Sequence, residues 1–229
     1  MMLTQLRQEN ALSFMLFSYF GTANMNDHAG VVNAAIDRAY RDAASHVLAF
    51  ENEEDKLNAK KAAKNAIADA VEALKQWQKS YDSWHKDICD KLMCIYKGFA
   101  YKEGYAFSVG IAQKWINMTM KYLYVLYYFC LAHGQEDSGF QLEYGQMISR
   151  YASDFHVPID KVIINAAEKD FGITRPSTSW SKIDSYDEYK KFEDDIKKHD
   201  RFKQNDTIAV RYSPIDWEGP AWIKYVPKK

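Results

Sequence analysis

The chain has 229 residues, of which 47% are hydrophobic and 15% aromatic, a composition that supports a sizeable core and excludes an intrinsically disordered protein. Its 30 basic and 31 acidic residues leave a formal charge of −1, which argues against a polybasic coat for nucleic acids but permits a local basic site. The three cysteines have spacings that match no zinc or redox motif, so we expect reduced thiols in a cytoplasmic protein without a metal or a cofactor.

The N-terminal residues 11–20 are apolar and are followed by Gly21. A secretory signal peptide contains a similar stretch, but Glu9 interrupts the approach to it, which favours a first core helix ended by the glycine. A second apolar run, residues 122–131, is too short to span a bilayer as a helix. We therefore expect a buried helix there and no membrane association.

Apolar residues recur with helical periodicity over most of the first 200 residues. Ser185 and Glu188 have the spacing of a capping box, which predicts the start of a helix. After residue 202, Pro214, Pro220 and Pro227 predict irregular structure, with a short strand at 208–212. The predicted helices cover residues 31–50, 53–79, 84–95, 107–131, 141–153, 158–171 and 185–202.

These elements predict an all-α helical bundle around the helix at 107–131, which is apolar nearly all round. Residues 1–173 would form the helical core. Residues 174–229 would form a loop, a helix and an irregular C-terminal extension packed on that core, giving one domain overall. The boundary would lie in the loop at 174–182, which contains a proline and four serine or threonine residues.

A polar stripe runs along the central helix within an arc of about 100°. Buried polar groups need partners, and a buried lysine needs an anion or a carboxylate. One hypothesis is an anion or nucleic-acid site lined by the stripe's amides and lysines. The alternative is a structural helix contact, with the lysines paired to internal acids such as Asp160 or Asp184. The stripe comprises Gly110, Gln113, Lys114, Asn117, Lys121, Tyr124 and Tyr128.

The text of residues 107–123, FSVGIAQKWINMTMKYL, resembles a set of uncharacterised bacterial proteins. Residues 156–160 (HVPID), 180–184 (WSKID) and 38–42 (RAYRD) fit the same pattern. The resemblance covers most of the chain, from about residue 38 to 184. It marks a family but implies no activity.

Two arginines are each followed by a histidine at a short interval: Arg41 and His46 with four residues between them, and Arg150 and His156 with five. This pattern resembles the mark of HEPN ribonucleases, compact helical proteins common in bacterial toxin and antiphage systems. In that family the pair acts on RNA without a metal, by promoting attack of the ribose 2′-hydroxyl on the adjacent phosphate. Two subunits often share the site. The resemblance implies Arg41 and His46 as catalytic residues, RNA as partner and a homodimer.

The same residues also fit structural roles. Arg41 and His46 lie about 140° apart on a helix, so they converge only across an interface or a kink. Arg38 could pair with Asp42, and Arg41 with Asp37, because each pair is separated by four residues.

The leading functional hypothesis is therefore a HEPN-like, metal-independent endoribonuclease of phage defence or a toxin–antitoxin system, with Lys114 and Lys121 holding phosphates. The competing hypothesis is a non-enzymatic helical module that binds a protein partner, so the sequence leaves open whether the chain is an enzyme. Additional candidate site residues are Arg38, Arg150, His156 and Asp160.

Overall fold

A computed structural model describes residues 14, 16–21, 24–45, 47–202 and 212–227. The fold is all-α, as predicted, and the only β pairing among these residues is a single bridge between Phe50 and Tyr101. A helical segment at residues 16–20 comes first. The α-helices that follow are α1 (His28–Ala43), α2 (Glu53–Leu74), α3 (Tyr81–Tyr96), α4 (Val109–Ala132), α5 (Gly139–Tyr151), α6 (Lys161–Phe171), α7 (Tyr186–Lys197) and α8 (Pro214–Tyr225).

Short polar side chains start most of these helices, because each accepts a hydrogen bond from an otherwise unpaired N–H of the first turn. Ser185 starts α7 as predicted, but the Glu188 carboxylate accepts from Ser177 instead of completing the capping box. Gly172, at φ +70°, ends α6 in the left-handed conformation that glycine adopts most readily. The capping side chains are Asp27, Asn52, Ser80, Ser108, Ser138, Asp160 and Ser185.

The predicted helix at 31–50 is too long at its C-terminal end. Helix α1 stops at Ala43, and the Ser45 hydroxyl donates to the carbonyl of Arg41 at 2.6 Å. Beyond it the chain turns, with the N–H of Leu48 donating to the carbonyl of Ala44, and Leu48 and Phe50 are buried outside any helix; Phe50 pairs there with Tyr101. A hydrophobic pattern alone does not show where a helix gives way to a buried loop.

The prediction of an irregular C-terminus is wrong for residues 214–225, which form α8. Pro214 occupies the first helical position, where its missing N–H costs nothing. The Asp216 carboxylate accepts from both the N–H (2.8 Å) and the hydroxyl (2.7 Å) of Ser213. One of the three prolines that predicted irregular structure therefore starts a helix. The predicted strand lies almost entirely outside the described residues.

Helix α4 is the central element, as predicted, and packs against α1, α3, α5, α7 and the 3₁₀ turn Trp180–Lys182. One hydrophobic cluster contains the buried faces of α1 to α5, and a second contains those of α6, α7 and α8. The second cluster also includes Val109 of α4, and the first includes Ile215 of α8, so the two clusters meet at the central helix and at α8. No helix among the described residues is long and apolar enough to cross a membrane.

Gly110 shows why the start of α4 needs glycine. Its N–H donates to the carbonyl of Ile183 at 2.9 Å. A Cβ atom built on it would lie 1.7 Å from the carbonyl oxygen of Trp180. The close approach that glycine permits is therefore used by backbone, which locks the loop before α7 against the central helix.

Candidate functional site

The two amides of the polar stripe, Gln113 and Asn117, are fully buried and bound to the protein itself. Gln113 Nε2 donates to the carbonyl of Ile159 at 2.9 Å, and Asn117 Nδ2 donates to that of Val157 at 3.0 Å. A carbonyl oxygen can only accept, so the second contact fixes the Asn117 amide with Oδ1 towards His85. These amides join α4 to the segment before α6 and do not line an anion site.

The rings of His85 and His156 lie in the same buried network, with centroids 4.4 Å apart. His85 Nε2 is 2.9 Å from Asn117 Oδ1, and His156 Nε2 is 2.6 Å from the Asp82 carboxylate, so both Nε2 atoms donate. Burial lowers the pKa of His85 to about 3 and that of His156 well below its usual value, because an imidazolium would lose its solvation there. His156 is thus a neutral histidine in the buried segment between α5 and α6, and it is not placed to contact an external ligand.

Glu193 of α7 is fully buried and contacts Val157, the residue that follows His156. Its Oε1 accepts from the N–H of Val157 at 3.2 Å, while Oε2 has no hydrogen-bond partner within the described residues. Burial raises the pKa of Glu193 to about 7, although Lys197 and Lys190 attract the charged form. This residue was not predicted from the sequence, where it lies among the many charged residues of α7.

The two lysines of the polar stripe pair with carboxylates of the protein. Lys114 Nζ lies 3.1 Å from Asp160 Oδ2, and Lys121 Nζ contacts the carboxylate of Glu218 on α8. Asp160 also accepts from two backbone N–H groups of α6, whereas Glu218 is buried and its burial raises its pKa. The predicted alternative is confirmed for Lys114, with Asp160 rather than Asp184. The partner of Lys121 was not predicted.

A cavity of about 550 Å³ lies between α1, α4, α8 and the helical segment at residues 16–20. We call it the α1–α4 cavity. It brings together five of the residues predicted from the sequence, which come from three separate parts of the chain. Its cations are Arg38, Arg41, Lys114 and Lys121, and its carboxylates are Asp42, Asp160 and Glu218.

Arg38 is held against the wall of the α1–α4 cavity by several contacts. Its Nε lies 3.6 Å from Asp42 Oδ2, which confirms the predicted pairing. The hydroxyl of Tyr122, whose pKa burial raises, donates to the same carboxylate. The guanidinium also lies over the ring of Tyr19, 4.6 Å from its centroid. Arg38 therefore already has its charge matched within the chain.

Arg41 differs from the other three cations. It is exposed in the last turn of α1 and lines the α1–α4 cavity. Its predicted pairing with Asp37 is wrong, because Asp37 contacts Lys60 (3.5 Å) and Lys64 (2.5 Å) of α2. Within the described residues, the guanidinium of Arg41 forms no ion pair and no hydrogen bond. Four cations thus face three carboxylates, and Arg41 carries the unmatched charge.

The second arginine–histidine pair does not share a site. Arg150 is exposed on α5 and lines a separate pocket of about 260 Å³ with Lys75 and Glu143, whereas His156 is enclosed in the core. For the first pair, Arg41 lies at the α1–α4 cavity and His46 lies outside the described residues.

Sequence reasoning missed the contribution of α8 to the α1–α4 cavity. Glu218 and Trp222 both line it and are four residues apart, the spacing of neighbours on one helical face. The signal that could have revealed them is the sequence Ser213-Pro214 with Asp216, which is typical of a helix start.

Within the described residues, no group of three or more His, Cys, Asp and Glu side chains could hold a metal ion. Comparison of the chain with protein-family models, with curated proteins and with solved structures gave no match. The functional argument therefore depends on the geometry of the α1–α4 cavity itself.

Proposed function

We propose that this protein binds an anionic ligand in the α1–α4 cavity, with Arg41 as the group that contacts the negative charge. The observation that carries the proposal is the unmatched charge of Arg41 in a concave site whose other three cations are paired. Cavities of several hundred Å³ with a few convergent polar groups are typical of ligand sites. The ion pairs formed by the other three cations would fix the shape of the cavity. The guanidinium of Arg41 would remain available to a ligand, with its N–H donors arranged in one plane.

Titration of the protein with acetate, inorganic phosphate and AMP, at constant ionic strength, tests this proposal by calorimetry. We expect at least one of these anions to bind, and Arg41→Gln to weaken that binding at least tenfold, because a hydrogen bond to a charged group contributes about 1.5–3 kcal/mol. Arg41 is exposed, so the substitution should leave the fold intact.

The matched control is Arg150→Gln, which removes an exposed arginine from the smaller pocket and should leave binding unchanged. Binding that is equal in wild type and Arg41→Gln would contradict the proposal, as would no binding of any of the three anions or of a longer carboxylate such as octanoate. That second result would favour the module that binds a protein partner.

A second candidate function is RNA cleavage of the HEPN type, in which Arg41 contacts the scissile phosphate and His46 transfers a proton. The observation that favours it is again specific to Arg41: the arginine of the motif is exposed, lines a concavity and has no internal carboxylate partner within the described residues. Lys114 and Lys121 are less available to phosphates than the sequence predicted, because each has a carboxylate partner.

The ribonuclease proposal predicts that the purified protein cuts single-stranded RNA in the presence of EDTA. His46→Ala and Arg41→Ala should each abolish cutting, since the acid–base group and the cation act on the same phosphate. Gel analysis of end-labelled RNA measures this, with Arg150→Ala as the control that should cut like wild type. Cutting by His46→Ala at the wild-type rate would remove this residue from the mechanism, and cutting only with Mg²⁺ would exclude the HEPN chemistry.

A further inference from the structure

The walls of the α1–α4 cavity change character along α4. Lys114 and Lys121 line it in the first half and at the middle of the helix, with Met118 between them, and Leu126 and Phe129 line it towards the end. At 1.5 Å per residue, Lys121 and Phe129 are separated by about 12 Å along the helix axis. The lining of α4 therefore contains charged residues as far as Lys121 and is apolar from Val125 onwards.

Other elements complete the apolar part. Leu16 and Phe20 of the N-terminal helical segment line the cavity, and the ring of Phe20 lies 5.5 Å from that of Tyr122 in an edge-to-face arrangement. Val125 lines the same part of α4 and is 46% exposed, so a ligand here would cover apolar surface that now faces water.

The positive and negative charges that line the cavity nearly cancel. Among the residues that the structure describes, Asp42, Asp160 and Glu218 each have a cation beside them, which leaves only the charge of Arg41 to be neutralised. One negative charge on a ligand completes the balance. A ligand with several negative charges would place the excess near these three carboxylates, which opposes its binding.

We infer that the ligand of the α1–α4 cavity is an amphipathic monoanion, with a single carboxylate on Arg41 and an unbranched or cyclic apolar body against the end of α4. The inference rests on the proposed anion site and assigns its ligand class. A ligand of this class needs no second cation. Its apolar body would also cover the apolar walls, which a simple inorganic anion would leave uncovered.

Binding of the carboxylate series acetate, butanoate, hexanoate and octanoate, with AMP for comparison, tests the inference by calorimetry. We expect the affinity to rise about threefold to fourfold for each buried methylene group. Octanoate should then bind far more tightly than acetate, and more tightly than AMP. Octylammonium, which has the same body with the opposite charge, should not bind.

Two variants separate the charged and apolar parts. Arg41→Gln should weaken the binding of octanoate at least tenfold, while the affinity should still rise with chain length. Val125→Thr keeps the shape of the side chain and replaces a methyl group by a hydroxyl. It should therefore weaken the binding of octanoate severalfold and leave the binding of acetate unchanged. Both residues are exposed, and Leu142→Thr, at an exposed residue of α5 that does not line the cavity, is the matched control.

The outcomes distinguish the ligand class from the anion site. Affinity that does not depend on chain length, or AMP binding more tightly than octanoate, would overturn the inference while leaving the anion site standing if Arg41→Gln still weakens binding. Octylammonium binding as well as octanoate would overturn it too. Loss of the Arg41 dependence for every anion would overturn both proposals together.

Discussion

Replacing Lys121 by methionine is expected to lower the free energy of unfolding by about 3–5 kcal/mol at pH 8, because it leaves the buried carboxylate of Glu218 without its cation. Methionine keeps most of the aliphatic stem, so lost packing contributes little. The Glu218 side chain is only 2% exposed, and solvent cannot replace the lysine.

Two further measurements identify Glu218 as the cause. Burial already raises the pKa of Glu218, and losing the lysine would raise it further, so the destabilisation by Lys121→Met should shrink as the pH falls and the carboxyl group becomes neutral. The double variant Lys121→Met with Glu218→Met should recover most of the lost stability, since an apolar pair of similar volume often replaces a buried ion pair without loss.

Lys114→Met is the matched control on the same helix. Its partner Asp160 keeps two hydrogen bonds from backbone N–H groups of α6, so no carboxylate is stranded. The loss should be on the order of 1–2 kcal/mol, mainly from the contact of the ammonium with the ring of Trp180. Urea unfolding of the single and double variants measures all of this. Equal effects of the two lysine substitutions, or no recovery in the double variant, would show that Lys121 is not held by Glu218.

The helices were largely predictable from the sequence because their signals are local. Ser185 starts α7 and Gly172 ends α6 where a capping side chain and a left-handed residue predict them. Where the prediction erred, a competing local interaction had been overlooked: the Ser45 hydroxyl at the end of α1 and the capping of Ser213 by Asp216 at the start of α8. Pro214 also shows that proline at a first helical position favours a helix, although proline inside a helix breaks it.

The candidate site was predictable only in part because its assembly depends on long-range contacts. The polar stripe shares one arc of α4, yet its amides and Lys114 contact residues 157–160 before α6, whereas Lys121 contacts Glu218 of α8. A 100° arc is wide enough to contact two different neighbours, and helical spacing does not show which neighbour each residue meets. The arginines of α1 reach the same cavity because α1 packs along α4, which no local pattern reveals.

Replacing Glu193 by glutamine is expected to change how stability depends on pH. In the folded protein the pKa of Glu193 is raised to about 7, against 4.5 for an ordinary glutamate, so between these values the folded chain binds a proton that the unfolded chain releases. Stability contributed by this group is therefore present below pH 4.5 and is lost as the pH rises to 7. The loss is roughly 1.4 kcal/mol per pH unit, or about 3 kcal/mol across the window.

His85 and His156 act in the opposite sense and do not obscure this effect. Their pKa values are lowered in the folded protein, so their contribution is present above about pH 6.5 and is lost as the pH falls below it. Both histidines are present in the wild type and in Glu193→Gln. The difference in unfolding free energy between the two proteins therefore isolates the contribution of the Glu193 carboxyl group. In urea unfolding between pH 4.5 and 8, the free energy of unfolding of the glutamine variant should rise relative to that of the wild type by about 3 kcal/mol as the pH increases to 7. Above pH 7 the difference should not change further. A difference that stays constant over this range would mean that the Glu193 carboxyl titrates alike in the folded and unfolded chains and is not held protonated in the core.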